Sequence, residues 1–225
     1  MRNIPEISNL EQAIPLIKIE NLHKRFGKKE VLRGLNFEIH DSEIVGFVGR
    51  NGSGKTTTMR SIMNLLNYEK GNILFRGSPI SDLNRNRLGY MPEERGLFAK
   101  QDVIRQIQYF AQLQGMQRNG LVDLIRSALE EFELSVEKTT LGKLSLGNQQ
   151  RVQIIVALIH NPELLILDEP FSGLDPLATT QLLKILRKRV EEGKSVIFSS
   201  HQLGLVEQVC QRIIVLDEGQ IIADD

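Results

Sequence analysis

The sequence predicts an α/β protein with a largely parallel sheet. Three observations carry this reading. Segments of strand character alternate along the chain with segments of helical periodicity, the order expected when helices connect parallel strands. Leu164-Leu165-Ile166-Leu167 and Val196-Ile197-Phe198 are continuous apolar runs, as strands buried on both faces require. A glycine-rich loop stands between a strand and a helix.

The elements follow in order. Residues 1–15 read as a loose arm, with Pro5, Pro15 and mixed polarity against a regular element. Leu16–Glu20 alternates and predicts a strand, and Lys24–Lys29 a turn. Val31–Ile39 is a second strand, broken near Gly34, and Glu43–Gly49 a third, with few charges. The glycine loop comes next, and Met59–Leu66 has helical spacing. Residues 99–134 hold two amphipathic stretches, Val103–Gln114 and Gly120–Phe132, with apolar residues three and four apart. This is a helical block set into the α/β frame. Leu144–Ile159 is a helix, Glu163–Pro170 a buried strand ending in two acids, and residues 176–192 a helix. Ser195–Ser200 is a strand, Leu203–Cys210 a helix, and Arg212–Ile222 a hairpin.

Composition narrows the class. The 225 residues are 41% hydrophobic and 25% charged, the profile of a soluble globular chain of one or two domains. Lys+Arg and Asp+Glu are each 28, and a net charge of zero gives no support to a polyanion binder. A single cysteine, Cys210, excludes an internal disulfide framework and suits a reducing compartment. The longest apolar run, Ile154–Ile159, falls far short of the roughly 20 residues of a membrane-spanning helix. The first fifteen residues lack the apolar stretch of a secretory signal.

The chemistry begins at Gly49-Arg50-Asn51-Gly52-Ser53-Gly54-Lys55-Thr56, which fits the phosphate-loop pattern G-x4-G-K-[ST]. Glycines permit backbone turns closed to other residues, so successive N–H groups converge on an anion. The following helix adds its positive end. Lys55 would reach the outer phosphates, and the Thr56 hydroxyl would ligate Mg2+. Asp168 and Glu169 stand at the carboxyl end of a buried strand, where ligands of open α/β sheets bind. Asp168 is expected to hold Mg2+ and Glu169 to polarise the attacking water. Two solvated surface acids are the alternative for this pair taken alone.

Leu144-Ser145-Leu146-Gly147-Asn148-Gln149-Gln150-Arg151 resembles the signature LSGGQ followed by QR of the ATP-binding cassette (ABC) family. Ser145 also reads as an ordinary N-cap, and the two roles are compatible. With the phosphate loop and the acidic strand end, the whole stretch from about Leu16 to Ile222 resembles the nucleotide-binding subunit of an ABC transporter. The resemblance implies a P-loop NTPase core with a mainly parallel sheet, an N-terminal antiparallel β part and an inserted helical subdomain over about 99–160. A single domain, 16–225, would follow the arm at 1–15.

The same resemblance implies further roles. Phe26 sits where an aromatic stacks on adenine, and Thr57 where a hydroxyl contacts the α-phosphate. His201 matches a histidine that contacts the γ-phosphate. Ser172-Gly173-Leu174-Asp175 matches a loop that crosses between subunits. Ser145, Leu146, Gly147 and Asn148 would meet ATP held by a second copy. Two positions depart from the family pattern. Leu146 replaces the commoner glycine, and Glu93 stands in a loop where glutamine is usual. Glu93 still offers an oxygen to Mg2+. The run Pro92–Phe98 resembles a branch that exports sodium ions, drugs or other small molecules.

The expected function is ATP hydrolysis that powers transport, through closure of a dimer, with a separate transmembrane permease. A homodimer is the expected form. The expected place is the cytoplasm, at the inner face of the membrane. Three other readings are open. A soluble ABC ATPase acting on nucleic acid would need a heptad run between Lys55 and Ser145 or a second cassette, and neither is present. No nucleic-acid partner is expected. A GTPase or small-molecule kinase leaves the signature unexplained. A non-hydrolysing ATP clamp is favoured only by Leu146 and Glu93.

Overall fold

A computed structural model describes residues 14–136 and 138–225 of the chain. Most of the predicted loose arm, residues 1–13, lies outside the described residues. The chain begins with β1 (Ile17–Phe26), β2 (Lys29–Ile39) and β3 (Ile44–Val48), followed by α1 (Lys55–Ile62). Next come β4 (Lys70–Phe75), β5 (Ser78–Pro79) and β6 (Leu88–Met91). The helical block is α2 (Val103–Leu113), α3 (Leu121–Glu131) and α4 (Leu146–Leu158). The last part alternates: β7 (Leu164–Leu167), α5 (Pro176–Glu191), β8 (Ser195–Ser200), α6 (Leu203–Val209), β9 (Arg212–Asp217) and β10 (Gln220–Asp224).

Two sheets result. The first is antiparallel at its N-terminal strands, in the order β2-β1-β4-β5. The second runs β10-β9-β3-β8-β7-β6, parallel except for the β9–β10 hairpin. The expected fold class is therefore observed.

The apolar runs bury two faces, as their sequence requires. Ile44 and Val48 of β3 point into one core, while Val45 and Phe47 point into another. Val196 and Phe198 part from Ile197 in the same way, and Leu165 and Leu167 from Leu164 and Ile166. The first core is completed by side chains of α2, α3, α4 and α5, the second by β1, β2, β4 and α1. Each fully buried side chain of this size contributes about 1.5–3 kcal/mol. The parallel sheet is thus the middle layer of three.

Several boundaries move from their sequence positions. The predicted turn at Lys24–Lys29 is narrower, because cross-strand pairing of Arg25 with Glu30 and Phe26 with Lys29 extends the strands to a tight reversal at Gly27 and Lys28. α1 begins at Lys55 and not Met59, since Gly54 caps it directly in a left-handed conformation. It ends at Ile62, and Asn64 has a positive φ. β4, β5 and β6 occupy a stretch with no strand pattern in sequence. Gly71 and Asn72 interrupt the alternation of β4, and its pairing with β1 holds it in place.

An ionic cluster joins the two sheets. Arg87 donates to both oxygens of Glu163, at 2.6 and 2.9 Å, and its guanidinium lies 4.4 Å from the centre of the Phe75 ring. Arg76 donates to Asp41 at 2.8 and 3.0 Å and to Glu163 at 3.3 Å. Among the described residues, no helix is long and apolar enough to cross a membrane.

Candidate nucleotide site

β3, β8 and β7 are neighbours and parallel, so their carboxyl ends open on one edge of the sheet. Three functional segments leave from that edge. The glycine loop follows β3, Asp168 and Glu169 follow β7, and His201 follows β8. The crossover connections bring together residues that lie far apart in the chain.

The loop turns into α1 at Gly54, whose φ of 113° only glycine adopts readily. A Cβ there would also press within 2.7 Å of Leu32 Cδ2. Thr58 is fully buried, and its hydroxyl donates to the Gly54 carbonyl at 2.9 Å. Lys55 folds its side chain back over the loop. Its ammonium donates to the carbonyls of Gly49 at 2.7 Å and Arg50 at 3.2 Å. A lysine has three donors, so one is left for a phosphate oxygen.

A cleft of about 360 Å³ opens above the loop. Its walls are formed by Asn51, Gly52, Gly54, Lys55, Thr56, Thr57, Glu93, Asp168 and Glu169, together with Phe26, Lys29 and Val31. The structure thus gathers most of the sequence-derived site around one cavity. Gly49 and Arg50 contribute through their carbonyls to Lys55. Ser53 is buried, and its hydroxyl has no hydrogen-bond partner among the described residues.

The two acids are held differently. Asp168 is 1% exposed. Its Oδ1 accepts from the Ser199 hydroxyl at 2.6 Å, and its Oδ2 is buried with no hydrogen-bond partner among the described residues. Glu169 has a φ of 51°, a backbone conformation that costs a non-glycine residue on the order of 1–3 kcal/mol and gathers at functional sites. Both ends of the residue are restrained. Its N–H donates to Ser199 Oγ at 2.8 Å, and its carbonyl accepts from Gln150 Nε2 at 3.4 Å. His201 Nδ1 lies 2.9 Å from Glu169 Oε2. His201 joins the site through that carboxylate and is not itself among the residues lining the cleft.

The signature residues lie elsewhere. Ser145, Leu146, Gly147, Asn148 and Asp175 do not line the cleft. Ser145 caps α4, its Oγ accepting from Asn148 N at 3.3 Å, and Leu146 is 58% exposed. Asp175 caps α5, accepting from Ala178 N at 2.8 Å, and its other oxygen lies 3.8 Å from Arg151 of α4. One chain therefore does not close its own cleft with the signature.

Sequence reasoning missed Ser199, Gln150 and Gln153. Gln153 Nε2 donates to the carbonyls of Pro92 at 2.8 Å and Glu94 at 3.2 Å, which fixes the loop that carries Glu93. A signal was present for each. Ser199 ends the apolar run of the fully buried strand β8, and both glutamines stand on the buried side of α4. Buried polar groups of this kind are there to bond something specific.

Comparison with known proteins agrees with this geometry. A family model described as ABC transporter matches residues 32–172. An uncharacterized ABC transporter ATP-binding protein of Methanocaldococcus jannaschii is 41% identical over 209 residues, which cover 92% of this chain and 76% of the relative. Nod factor export ATP-binding protein I of Burkholderia lata is 33% identical, covering 92% of this chain and 70% of the relative. The dimeric structure of a bacterial ABC transporter cassette superposes with a TM-score of 0.86 at 25% identity, over 93% of this chain and 97% of that one. With its phosphate loop, acidic strand end and signature helix in these positions, the chain belongs to the ABC transporter family and is an ATP-binding subunit with ATPase activity.

Proposed function

We propose that two copies of this chain close on two ATP molecules, hydrolyse them and so power export through a separate transmembrane permease. The observation that carries the catalytic part is the single cleft lined by Lys55, Thr56, Asp168 and Glu169. Lys55 holds the outer phosphates with its remaining donor, and Asn51, Gly52, Gly54 and Thr57 surround the phosphate chain. Phe26 offers a half-exposed ring to the adenine.

The donor set fits Mg2+. Asp168 Oδ2 is a buried carboxylate oxygen with no hydrogen-bond partner among the described residues, and Thr56 and Glu93, which carry oxygens, line the same cleft. Among the described residues, no group of three His, Cys, Asp or Glu side chains forms a dedicated cage. Mg2+ is commonly bound in that way, by one or two protein oxygens together with phosphates and water. When bound, it supplies positive charge to the phosphate oxygens.

Glu169 accepts a hydrogen bond from the attacking water and orients it in line. His201 donates from Nδ1 to the Glu169 carboxylate and so holds it in place. Phosphoryl transfer asks mainly for positioning and charge stabilisation. The strained, doubly anchored Glu169 supplies the first, and Lys55 supplies the second.

The dimer is supported by the position of Ser145, Leu146, Gly147, Asn148 and Asp175, which lie outside their own chain's cleft. Facing a second copy, the capped N-terminus of α4 would point its free N–H groups at that copy's ATP. That a solved cassette of this fold is dimeric supports the pairing of two copies. A permease partner is supported by exposed apolar side chains on and beside the helical block, Leu65, Phe98, Tyr109 and Leu113. The Glu93 loop would carry movement from that face to the cleft. Such an assembly places the chain at the cytoplasmic face of a membrane. Export is supported by the name of the Nod factor relative.

The test is the ATPase rate per subunit against protein concentration with Mg2+, for wild type and Glu169→Gln. The proposal expects a rate that climbs with concentration and collapses in the variant, while the variant binds ATP and accumulates as a dimer. A wild-type rate in Glu169→Gln would overturn the role of Glu169. A flat, near-zero wild-type rate with tight ATP binding would identify a nucleotide clamp.

A further inference from the structure

We propose that Lys24, held by Glu69, is the positioning residue that sets the Phe26 ring for the purine base. This rests on the reading of Phe26 as the base-stacking residue. Lys24 and Phe26 are two apart on β1 and so share a face of the strand. Phe26 is half exposed and lines the nucleotide cleft. Lys24 is 9% exposed and does not line it. The Lys24 ammonium lies 5.1 Å from the centre of the Phe26 ring, within the range of a cation–π contact. It therefore backs the ring from the protein side and leaves the other face to the cleft.

A lysine at an exposed strand end would normally point into water. Glu69 prevents that. Its Oε1 accepts from Lys24 Nζ at 3.1 Å, and its Oε2 accepts from the backbone N–H of Arg25 at 2.8 Å. The Lys24 hydrogen bond is the main cause that holds the Glu69 carboxyl below the usual range, with the Arg25 N–H adding to it. Glu69 thus fixes both the ammonium and the peptide that leads into Phe26.

Two effects follow. The ring is held in one orientation before the base arrives, which lowers the ordering cost of binding. The cation also draws electron density away from the cleft-facing side of the ring, which favours stacking there by an electron-rich purine. Both effects act on the base and neither on the phosphates. Lys24 is then a determinant of base affinity placed outside the cleft.

The experiment measures calorimetric affinities for ATP and for inorganic tripolyphosphate with the 225-residue chain. The variants are Lys24→Met, Lys24→Arg, Phe26→Leu and the Lys24→Met/Phe26→Leu double variant. Lys24→Met keeps the apolar stem and removes the charge. It should weaken ATP binding roughly threefold to tenfold and leave tripolyphosphate binding unchanged. Lys24→Arg should restore ATP affinity. In the Phe26→Leu background, Lys24→Met should have no further effect on ATP. A parallel loss of ATP and tripolyphosphate affinity in Lys24→Met would overturn the proposal, since it would show general damage to the loop. So would unchanged ATP affinity in Lys24→Met while Phe26→Leu loses it, which leaves the stacking role standing. If Phe26→Leu itself binds ATP as the wild type does, stacking fails and the proposal falls with it.

Discussion

Ser199 is one hydroxyl that serves two acids. It donates to Asp168 Oδ1 and accepts from the N–H of Glu169, and it is fully buried between β3 and β7. Its bond to Asp168 turns the other carboxylate oxygen toward the position proposed for Mg2+. Its bond to Glu169 steadies a residue held at positive φ. Hydrogen bonds to charged groups contribute about 1.5–3 kcal/mol each. Ser199→Ala should therefore lower kcat on the order of tenfold to hundredfold, with ATP affinity little changed. Ser199→Thr, which keeps the hydroxyl, should recover most of the rate. Steady-state kinetics beside ATP titration checks both. A fall in affinity as large as the fall in rate would assign Ser199 to folding alone.

At the scale of elements, α4 is the joint between the two halves of the proposed dimeric site. Its N-terminus carries Ser145, Leu146 and Gly147, which would face the partner's ATP. One to two turns later, Gln150 and Gln153 hold the carbonyl of Glu169 and the loop bearing Glu93. Gly147 also allows α4 to lie close against the loop before α5. A Cβ at that position would stand 2.9 Å from the Gly173 carbonyl, a backbone atom that cannot swing aside. Gly147→Ala should displace either the start of α4 or the loop at 172–175. Neither lines the cleft, so ATP binding by the single chain should stay as in wild type. Dimer formation with ATP, measured by size-exclusion chromatography in the Glu169→Gln background, should weaken clearly. Equal loss of ATP binding would show that the glycine serves the fold and not the interface.

For the whole molecule, the mainly parallel sheet separates and lines both hydrophobic cores, and the Glu163 cluster fastens the antiparallel sheet to it. Two bonds from Arg87, with two longer ones from Arg76, hold the Glu163 carboxyl below the usual carboxylate range, against an opposing effect of burial. Its folded value thus lies below the unfolded value of 4.5. The stabilisation is complete above that value and is lost as pH falls through the folded one. Glu163→Gln should lower the melting temperature at neutral pH by roughly 1–3 °C, a modest shift because the cluster is partly solvated. It should also flatten the fall of stability in acid. Thermal melts at pH 7 and across pH 3–5 check both. A variant with the same acid dependence as wild type would remove Glu163 from the account of acid sensitivity.

The chain's own order of residues determined the fold class, the glycine loop, the acids at the end of β7 and the signature helix. Each of these is local. A loop that wraps phosphate needs glycines at fixed spacing, and a strand buried on two faces needs an unbroken apolar run. The short strands β4, β5 and β6 were not legible, because cross-strand partners and not their own pattern hold them. Lys24 read as part of a turn, and only its contacts with Glu69 and Phe26 show it braced within the sheet. The sequence marks Ser199, Gln150 and Gln153 only as polar residues in buried elements, and their roles were not legible for a similar reason. A buried hydroxyl or amide acquires its role from the partner it meets. Those partners lie far off in sequence, and they are set beside it only when parallel strands joined by crossovers bring their ends to one edge.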